Sequence, residues 1–228
     1  MPQRGKDGER KPSADAVRAA EEKSLGSLVD TLPLQKRGLF KFKDTGHLVH
    51  RHEQGLVDVS EGGVLLAMRY DQIAWVRQYF LQQYVNHFYR QTSYWFTIGS
   101  MTRETVTWQG GFSEQERGPG DKGDPRLPEF GRQLAEAVSK ARLPAHRTAL
   151  ADGKSLVFGN IVISRQGVRG QDGVVPWSQV EPLVVDHGVA TVKRTGQRRP
   201  MASTHVNSIP NLPLFLSLYE NLRRARPI

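Results

Sequence analysis

Apolar and polar residues alternate with a period of two along much of the chain, which is the pattern of a half-buried β-strand. Short alternating runs between residues 39 and 70 are separated by turn-forming residues at 44–46, 53–55 and 61–63. These runs predict four strands joined by hairpin turns, which together form an antiparallel meander. Three more strands are expected at residues 73–85, 87–98 and 104–108, with Asn86 near the turn between the first two.

The period changes to that of a helix after residue 124. An apolar stripe with spacings of three and four is formed by Leu127, Phe130, Leu134, Val138 and Ala141. An Asp-Pro pair at 124–125 is expected to cap this helix, and a Leu-Pro pair at 143–144 to end it. The first half is therefore predicted to be about seven strands followed by one helix.

The second half repeats this plan in a shorter form. Two short strands bent at Gly159 are expected within residues 155–164, and another at 168–170. An Asp-Gly turn at 172–173 then leads into a strand at 174–177. Further strands are expected at 180–186, 189–194 and 201–206. A closing helix begins near Asn211, and its predicted apolar stripe is Leu212, Phe215, Leu216, Tyr219 and Leu222.

A sequence echo supports a duplication. Residues 67–73 read Ala-Met-Arg-Tyr-Asp-Gln-Ile, and residues 174–180 read Val-Val-Pro-Trp-Ser-Gln-Val. Upstream, Gln-Gly-Leu at 54–56 corresponds to Gln-Gly-Val at 166–168. The surrounding strands make the echo a structural corner of each half, with Tyr70 and Trp177 as core or rim aromatics.

We therefore expect a mainly β, α+β fold with two domains of the pleckstrin-homology (PH) type. In each, a bent antiparallel sheet of about seven strands forms a partly open barrel that a C-terminal helix closes. The expected boundaries are a flexible tail over 1–30, a first domain over 31–143, a linker over 144–152 and a second domain over 153–226. Ser13 is expected to cap a short helix in the tail that extends from Ala14 towards Leu28 and Leu32.

Several short motifs also carry a family resemblance. They are Gln-Gly-Leu-Val at 54–57, Arg-Tyr-Asp-Gln-Ile at 69–73, Phe-Gly at 158–159, Gly-Val at 167–168, Pro-Trp-Ser-Gln-Val at 176–180 and Ile-Pro-Asn-Leu at 209–212. Through them the chain resembles an uncharacterised bacterial family of proteins with tandem PH-like domains, over roughly residues 34–224. The resemblance implies two copies of one fold and a non-enzymatic role, and it transfers no functional residue.

Composition narrows the class of protein further. The chain has no cysteine, which excludes disulfides, cysteine-ligated zinc and thiol catalysis, and which suits a reducing compartment. No apolar run approaches the roughly 20 residues of a membrane-spanning helix, and the N-terminus lacks the apolar centre of a secretory signal. We therefore expect a cytoplasmic protein, and no motif indicates a cofactor.

The formal net charge of +9 raises the question of nucleic acid. Basic residues are spread over the whole chain, and the segment 150–228 holds 10 of them against 5 acidic ones. A diffuse excess favours solubility over a nucleic-acid footprint, so nucleic-acid binding is only a remote alternative.

Two cationic hairpins are candidate sites for anion or membrane contact. The first contains Lys36, Arg37, Lys41 and Lys43 beside phenylalanines, and the second contains Lys193, Arg194, Arg198 and Arg199 around a turn. Apolar insertion and charge attraction add at an anionic bilayer. The lysine pattern that binds phosphoinositides in eukaryotic PH domains is broken here by His-Arg-His at 50–52. Solvated strand and turn surfaces are the simpler interpretation of both hairpins.

No catalytic or metal-binding pattern stands out. The Gly-Pro-Gly-Asp-Lys-Gly string at 118–123 has the glycine spacing of a dinucleotide-binding loop, but a polar segment precedes it where a buried strand is required. His50 and His52 share one strand face and could hold a metal, but the sequence supplies no third ligand, and an exposed strand face is the simpler interpretation. Asp71 and Ser178 occupy the same position of the echo, so the halves share no catalytic carboxylate there.

The sequence therefore predicts a non-enzymatic interaction module that binds or scaffolds proteins through its PH-like domains. In such domains an extended peptide can add as a strand in the groove between the closing helix and an adjacent strand. The sequence does not identify the partner, and self-association through sheet edges is one form of such binding. The alternative is a peripheral membrane or phosphate-ligand sensor that uses the basic hairpins.

Overall fold

The computed structural model describes residues 11–37, 42–60, 62–63, 65–112, 126–170 and 173–225. Within these ranges the chain is mainly β, with three α-helices and four antiparallel sheets, none of which closes on itself. None of the described helices is both long and apolar enough to cross a membrane. The chain divides into two compact units, of which one comprises Met1–Ala74 with Gln78–Ala137 and the other Trp75–Arg77 with Val138–Ile228.

The first unit begins with helix α1 (Ala14–Glu22) and continues into a four-stranded meander. Its strands, in both chain and sheet order, are β1 (Leu28–Arg37), β2 (Phe42–His52), β3 (Gly55–Val59) and β4 (Leu65–Arg69). A 3₁₀ turn at Tyr70–Gln72 leads into a three-stranded sheet made of β5 (Ile73–Val85), β6 (Phe88–Ser100) and β7 (Thr105–Phe112). Helix α2 (Leu127–Ala151) follows, and the boundary between the units lies inside it.

The second unit repeats this order of elements with shorter strands. Its four-stranded sheet contains β8 (Leu156–Phe158), β9 (Ile161–Ile163), β10 (Gly167–Gly170) and β11 (Gly173–Pro176). A 3₁₀ turn at Trp177–Gln179 leads into a sheet of β12 (Val184–Asp186), β13 (Val189–Lys193) and β14 (Pro200–His205). Helix α3 (Leu212–Ala225) closes the chain. Each unit therefore contains seven described strands and a closing helix, near the predicted number, but in the first unit β1 lies before the first predicted run, and the two runs predicted on either side of residues 44–46 belong to the single strand β2 as far as they are described.

Local residue chemistry accounts for several of the predicted elements. The Ser13 side chain accepts a hydrogen bond from the backbone N–H of Ala16 at 3.2 Å and so caps α1, as predicted. Asn86 and His87 have φ angles of +49° and +66°, the left-handed pair that a two-residue hairpin turn requires. Gly159 has a φ of +61° at the predicted bend between β8 and β9.

Each unit has a buried core. In the first, Gly131 of α2 lies against the ring of Phe96, and a Cβ added there would lie 1.8 Å from that ring. The helix therefore packs directly on β6, and Phe130 and Leu134 beside Gly131 are buried. The core of the second unit is formed by Leu150, Phe158, Ile161, Ile163, Val168, Trp177, Val180, Ala190, Val192, Ile209, Leu214, Phe215, Leu218 and Tyr219.

The start of the first unit differs from the prediction. Helix α1 does not extend towards Leu28 and Leu32, because Ser24 and Gly26 adopt positive φ angles and Leu28 already begins β1. Residues 11–30, which were expected in a flexible tail, form α1 and the start of β1, and Ala16, Ala20, Leu25 and Val57 form a small buried cluster. Residues 1–10 lie outside the described part of the chain.

The predicted turn at residues 44–46 is wrong, because these residues lie inside β2. The register of β1 and β2 changes from Pro33 opposite Leu48 to Gln35 opposite Asp44, so β2 contains a bulge at this point. Thr45 stabilises the bulge by donating its hydroxyl to the Leu34 carbonyl at 2.7 Å. Turn-forming residues therefore form an irregularity within a strand, and the connection between the two strands falls in residues 38–41, outside the described part of the chain.

The predicted end of the first long helix at Leu143-Pro144 is also wrong. Helix α2 contains Pro144 and runs on to Ala151, so the segment expected as a linker is almost entirely helical. A proline has no N–H, so the carbonyl four residues before Pro144 receives no hydrogen bond from it. Pro144 is exposed, which allows water to solvate this carbonyl. Leu143 and Leu150 on either side of it pack in the core of the second unit. The Asp-Pro cap predicted at 124–125 lies outside the described residues.

The predicted stripe of α3 is correct for Phe215 and Tyr219, which are buried, and for Leu212 and Leu222, which pack against the core. It is wrong for Leu216, which is 37% exposed. The buried face of α3 is wider than predicted, because it also includes Leu214 and Leu218.

Candidate functional site

The two copies of the echo form equivalent corners. Tyr70 and Trp177 each begin a 3₁₀ turn and are buried, as predicted. The hydroxyl of Tyr70 donates to the backbone carbonyl of His52 at 2.8 Å, and the indole N–H of Trp177 donates to that of Ser164 at 3.0 Å. Each aromatic side chain therefore fills the core and satisfies its polar atom on the backbone of its own sheet.

A glycine in each unit leaves room for the corner. A Cβ added to Gly55 would lie 2.3 Å from the backbone oxygen of Met68, and one added to Gly167 would lie 1.9 Å from that of Val175. Both glycines begin the strand that pairs with the last strand of the four-stranded sheet. The Gln-Gly pairs of the echo therefore mark the same close approach of two backbones in both units.

The glutamine of each echo anchors a distant hairpin turn. The backbone carbonyl of Gln72 accepts a hydrogen bond from the N–H of Met101 at 3.2 Å, in the turn between β6 and β7. The backbone carbonyl of Gln179 accepts one from the N–H of Thr195 at 2.8 Å, in the turn between β13 and β14. In each unit the 3₁₀ turn and this later hairpin turn are thus held side by side.

A cleft lies beside this junction in both units. The cleft of the second unit has a volume of about 280 Å³ and is lined by Gly170, Gly173, Val174, Val175, Pro176, Gln179, Arg194, Gln197, Arg199, Pro200 and Met201. The cleft of the first unit has a volume of about 530 Å³ and is lined by Lys23, Leu66, Ala67, Met68, Gln72, Ser100, Met101, Thr102 and Glu104. Both clefts use the glutamine of the echo and the strand that precedes it, so the site is duplicated with the fold.

The two clefts differ in charge. The second is lined by two arginines and two glutamines, and its described lining contains no carboxylate, whereas the first is lined by one lysine and one glutamate. Arg194 and Arg199 come from the two sides of one hairpin turn, and neither forms an ion pair with a described residue. A guanidinium presents a planar set of N–H donors that matches a carboxylate or a phosphate. The second cleft therefore has the chemistry of an anion-binding site.

One wall of the second cleft is the edge of a sheet. Strand β11 is the outermost strand in the order β11-β10-β9-β8, and Gly173, Val174, Val175 and Pro176 all line the cleft. An edge strand presents backbone N–H and C=O groups that can pair with another extended segment. The cleft thus offers backbone hydrogen bonds on one side and two cationic side chains on the other.

The predicted cationic residues fall into two groups. The structure brings Arg194 and Arg199 together in the second cleft, while Lys193 and Arg198 lie on the same hairpin outside the lining. In the first unit Lys36 pairs with Lys43 across β1 and β2, and Arg37 is the last residue of β1. Lys41 lies outside the described residues.

The simpler interpretation placed His50 and His52 of β2 on an exposed strand face, and this interpretation is wrong. His50 and His52 are buried, and their Nδ1 atoms lie 2.8 Å from the Thr31 hydroxyl and 3.0 Å from the Gly26 carbonyl. His47 contacts Asp58, which also accepts a hydrogen bond from the Trp108 indole at 2.9 Å. No group of three potential metal ligands occurs among the described residues. These side chains form polar cross-links within the first unit.

Burial controls the protonation of His50. Its pKa is lowered to about 4, first because the charged imidazolium would be desolvated and second because His52 lies nearby, while Asp58 acts in the opposite direction. Its Nε2 atom is buried and has no hydrogen-bond partner in the part of the chain that the structure describes. His50 is therefore neutral at physiological pH.

Sequence reasoning missed two features of the candidate surfaces. It did not place β11 beside the basic turn, because the two segments are far apart in the sequence and are brought together by tertiary contacts such as the hydrogen bond from Thr195 N–H to the Gln179 carbonyl. It also did not find the exposed apolar side chains of the hairpin formed by β5 and β6, which include Phe80, Tyr84 and Phe88. The available signal was a run of strand residues without any charge, from Gln78 to Tyr89.

Fold and site together define a duplicated, mainly β protein in which one of two equivalent clefts is cationic. The chain belongs to DUF6585, a family of unknown function, whose model matches residues 39–227. No curated protein matches the chain.

Among solved structures, the chain is similar to one described as the C-terminal domain of an unknown protein from Leishmania infantum. The sequence identity is 10%, and the match covers 55% of this chain and 99% of that one, with a TM-score of 0.29. A TM-score this low carries no inference about fold or function.

Proposed function

We propose that the protein is a non-enzymatic binding protein built of two PH-like units, and that its second unit binds an extended acidic segment of a protein partner. Four antiparallel strands, a corner, three antiparallel strands and a closing helix occur in this order in each unit, which supports the PH-like assignment. The observation that carries the binding site is the pair Arg194 and Arg199, which lies in a cleft beside an open strand edge.

Charge selects the class of ligand. Two guanidinium groups in one cleft repel each other, and a bound carboxylate or phosphate removes that repulsion while it accepts their hydrogen bonds. Both arginines are exposed, so they reach a ligand without unfolding any part of the unit. An acidic side chain of the partner supplies such a group.

The strand edge selects the shape of the ligand. A peptide that adds to β11 forms main-chain hydrogen bonds, and its alternate side chains point into the cleft. Gly170 and Gly173 lie at the hairpin beside β11 and carry no side chains that obstruct a backbone. The cleft thus accommodates an extended segment with acidic residues at alternate positions.

The groove predicted from the sequence, between the closing helix and an adjacent strand, is a second location for peptide binding. In the second unit this strand is β12, whose Val184 and Val185 are about half exposed. The hydroxyl of Tyr219 in α3 donates to the Glu181 carbonyl at 2.8 Å, which places the helix close to the start of that strand. Because β12 has only three residues and the cleft at β11 also supplies two cations, we prefer the cleft at β11.

The test is the fluorescence anisotropy of a labelled octaglutamate peptide titrated with the full chain. We expect saturable binding that weakens with added salt, and a loss of at least about tenfold in affinity when Arg194 and Arg199 are both changed to Glu, because each charge-assisted hydrogen bond contributes about 1.5–3 kcal/mol. The double variant Arg165→Glu, Arg169→Glu is the matched control, since both arginines are exposed in the same unit, neither lines the cleft and the change in net charge is the same.

Equal loss of affinity in the control and in the cleft variant would show that only net charge matters, and would refute the site. Binding of a duplex oligonucleotide with the same dependence on Arg194 and Arg199 would instead favour nucleic acid. Absence of any binding at low salt would refute the function.

A peripheral membrane role is the second candidate, favoured by the pairing of Lys36 with Lys43, which concentrates cations on the hairpin of β1 and β2. Sedimentation with vesicles of phosphatidylserine and phosphatidylcholine distinguishes it. The Lys41→Glu, Lys43→Glu variant should lose this binding and keep octaglutamate binding if the two sites are separate.

A further inference from the structure

Gly170 ends strand β10 and lines the cationic cleft of the second unit, but the fold does not require a glycine there. Gly170 does not adopt a positive φ. A Cβ added to it would lie 3.6 Å from the Gly173 carbonyl oxygen, 3.6 Å from Val175 Cγ2 and 3.9 Å from Met201 Sδ, which are ordinary van der Waals distances. At Gly167 of the same strand, an added Cβ would lie 1.9 Å from a backbone oxygen. The two glycines of β10 therefore have different reasons.

A glycine without a steric reason weakens the strand that contains it. It loses more conformational freedom on folding than other residues do, and it offers no side chain for packing. Glycine in a strand also marks places where a ligand or another backbone approaches closely. Because Gly170 lines a cleft and no described backbone crowds its Cβ position, the approach of a ligand is the remaining reason for it.

The alternation of β10 locates the empty position on the core face of its sheet. Val168 is fully buried in the core of the second unit, and Gly170 lies two residues further along, on the same face. Val175, which is opposite Val168 on β11, packs against this core, and so does Met201 near the start of β14. Gly170, Val175 and Met201 thus form an apolar recess, which opens into the cleft because all three line it.

The apolar recess and the cationic part of the cleft have the spacing of an extended peptide. Arg199 and Met201 both line the cleft and are two residues apart in the chain. A strand that pairs with the edge of β11 presents its alternate side chains on one face, roughly 6.6 Å apart. The methionine side chain is unbranched and flexible, so this wall of the recess can adapt to the group that enters it.

We propose that the acidic segment bound by the second cleft also carries an apolar side chain, two residues from an acidic one, and that this side chain fills the apolar recess. The assignment rests on the proposed function and narrows its ligand to a segment with acidic and apolar residues on one face. Charge attracts such a segment, and burial of the apolar group fixes its register. A shift by one residue would turn both side chains to the opposite face.

An acyl chain with an acidic headgroup has the same two chemical parts but fits the cleft less well. It would shield the backbone N–H and C=O groups on the edge of β11 from water without replacing their hydrogen bonds. An extended peptide pairs with these groups and places its side chains in the cleft in the same step. The strand edge therefore favours a peptide.

The fluorescence anisotropy of three labelled peptides, each titrated with the full chain, tests this specificity. The leucine peptide is Glu-Ser-Leu-Ser repeated three times, the alanine peptide is Glu-Ser-Ala-Ser repeated three times, and the shifted peptide is Glu-Leu-Ser-Ser repeated three times. All three have the same length and number of acidic residues. We expect the leucine peptide to bind at least about fivefold more tightly than the other two, because it alone carries large apolar and acidic groups on one face.

Gly170→Val tests the recess, because the added methyl groups would occupy it. The readout is the ratio of the dissociation constants of the alanine and leucine peptides within one protein, which a general change in affinity does not alter. We expect this ratio to fall to about one in Gly170→Val and at least about twofold in Gly170→Ala, whose single methyl group makes only ordinary contacts. Gly62→Val is the matched control and should leave the ratio unchanged, since no described atom lies within 4 Å of a Cβ added to Gly62 in the first unit.

The methionine methyl groups locate the bound leucine independently of affinity. Met201 lines the cleft of the second unit, whereas Met68 and Met101 line the cleft of the first. In protein labelled with carbon-13 at the methionine methyl groups, we expect the leucine peptide to shift the signal of Met201, which Met201→Leu assigns. The signals of Met68 and Met101 should stay in place.

Equal affinity for the three peptides overturns the proposal, and octaglutamate binding that still depends on Arg194 and Arg199 then leaves the proposed function intact. A preference for leucine that Gly170→Val does not reduce overturns it as well, and so does a shift of Met101 in place of Met201. Displacement of the leucine peptide by decanoate, lost in Gly170→Val, overturns it in favour of an acidic lipid. If neither octaglutamate nor the leucine peptide binds, the proposed function fails together with it.

Discussion

Gly55 and Gly167 are glycines because of space. Neither adopts a positive φ, and both would place a Cβ within 2.3 Å of a backbone oxygen on the paired strand. Any side chain there would force the backbone of the paired strand to shift. Paired backbones resist such a shift more strongly than a flexible side chain would if it were the neighbouring group. The sequence displays both glycines in the echo, but their reason appears only when the facing strand is in place.

His50 shows the opposite case, in which the environment changes the chemistry of a residue. Its Nδ1 atom is 2.8 Å from the Thr31 hydroxyl, and its Nε2 atom is buried without a hydrogen-bond partner among the described residues. The titratable side chains that act on it are His52 and Asp58. A protonated imidazole in this site would be desolvated, and the nearby Asp58 offsets that cost only in part. The first unit therefore tolerates His50 only in its neutral form.

The stability of the first unit should consequently fall as the pH is lowered. Because the pKa of His50 is about 4 in the folded chain and about 6.5 when unfolded, the unfolded state binds the proton first. The loss begins as the pH falls through about 6.5 and is complete below about 4, and it amounts to about 2 kcal/mol by pH 5. Urea unfolding at pH 7 and pH 5 measures it.

His50→Gln removes the titration and keeps a group that can bond Thr31, so the difference between the two pH values should shrink by about 2 kcal/mol. The control is His205→Gln, because His205 is exposed. A pH difference that is the same in the wild type and in both variants would contradict the assignment of the effect to His50.

Elements were predicted better than their boundaries. The closing helix of each half and most of the strands follow from periodicity, since period-two and period-3.6 patterns are distinct, but β1 lies before the first predicted run. Boundaries failed where long-range packing outweighs local signals. Asp44, Thr45 and Gly46 form a turn in most sequences, but the register of β1 against β2 makes them a bulge here.

Pro144 is the clearest conflict between local propensity and packing. A proline in a helix interior costs about 3 kcal/mol relative to alanine, because it removes one hydrogen bond and crowds the preceding turn. Helix α2 nevertheless continues past it, and Leu143 and Leu150 contact the core of the second unit. The burial of these side chains stabilises the segment enough to offset the proline.

Replacing Pro144 by alanine should therefore stabilise the chain by about 1–3 kcal/mol, because an alanine at this position restores the missing N–H donor within α2. Pro213→Ala is the matched control. Pro213 lies in the first turn of α3, where a proline lacks no intrahelical bond, and the change should be within about 0.5 kcal/mol. Urea unfolding monitored by circular dichroism compares the three proteins, and a destabilised Pro144→Ala would show that the kink itself is required.

The candidate site could be predicted only in part for the same physical reason. Arg194 and Arg199 were identifiable as cations around a turn, and the structure places both in one cleft. The strand edge beside them and the anchoring carbonyl of Gln179 depend on contacts between separate hairpins. The sequence pattern of β5 does not tell core residues from surface residues, because a strand with exposed apolar residues on both faces has the same pattern as one that is buried on both.

At the scale of the whole molecule, the duplication distinguishes features that both units share from features that only one unit has. The corner, its glycine and the backbone hydrogen bond from the 3₁₀ turn to the later hairpin occur in both units, so we assign them to the fold. The arginines occur in one cleft only, so they are free to serve a ligand. A variant that changes the cleft is therefore expected to leave the fold intact, whereas a variant in the shared framework is not.

The two units should also respond separately to damage in one core. Phe215 is fully buried, and its ring centroid lies 5.1 Å from that of Phe158 and 5.7 Å from that of Tyr219. Phe215→Ala should destabilise the second unit by about 3–5 kcal/mol, the cost of a large cavity, while Leu216→Ala at the exposed neighbouring position should cost less than about 1 kcal/mol.

Hydrogen exchange distinguishes a separate response from a shared one. In Phe215→Ala we expect faster exchange of the amides of β8 and β13 and unchanged exchange of those of β3, because the damaged core contains only residues of the second unit. Equal acceleration in β3 would mean that both cores unfold as one cooperative unit.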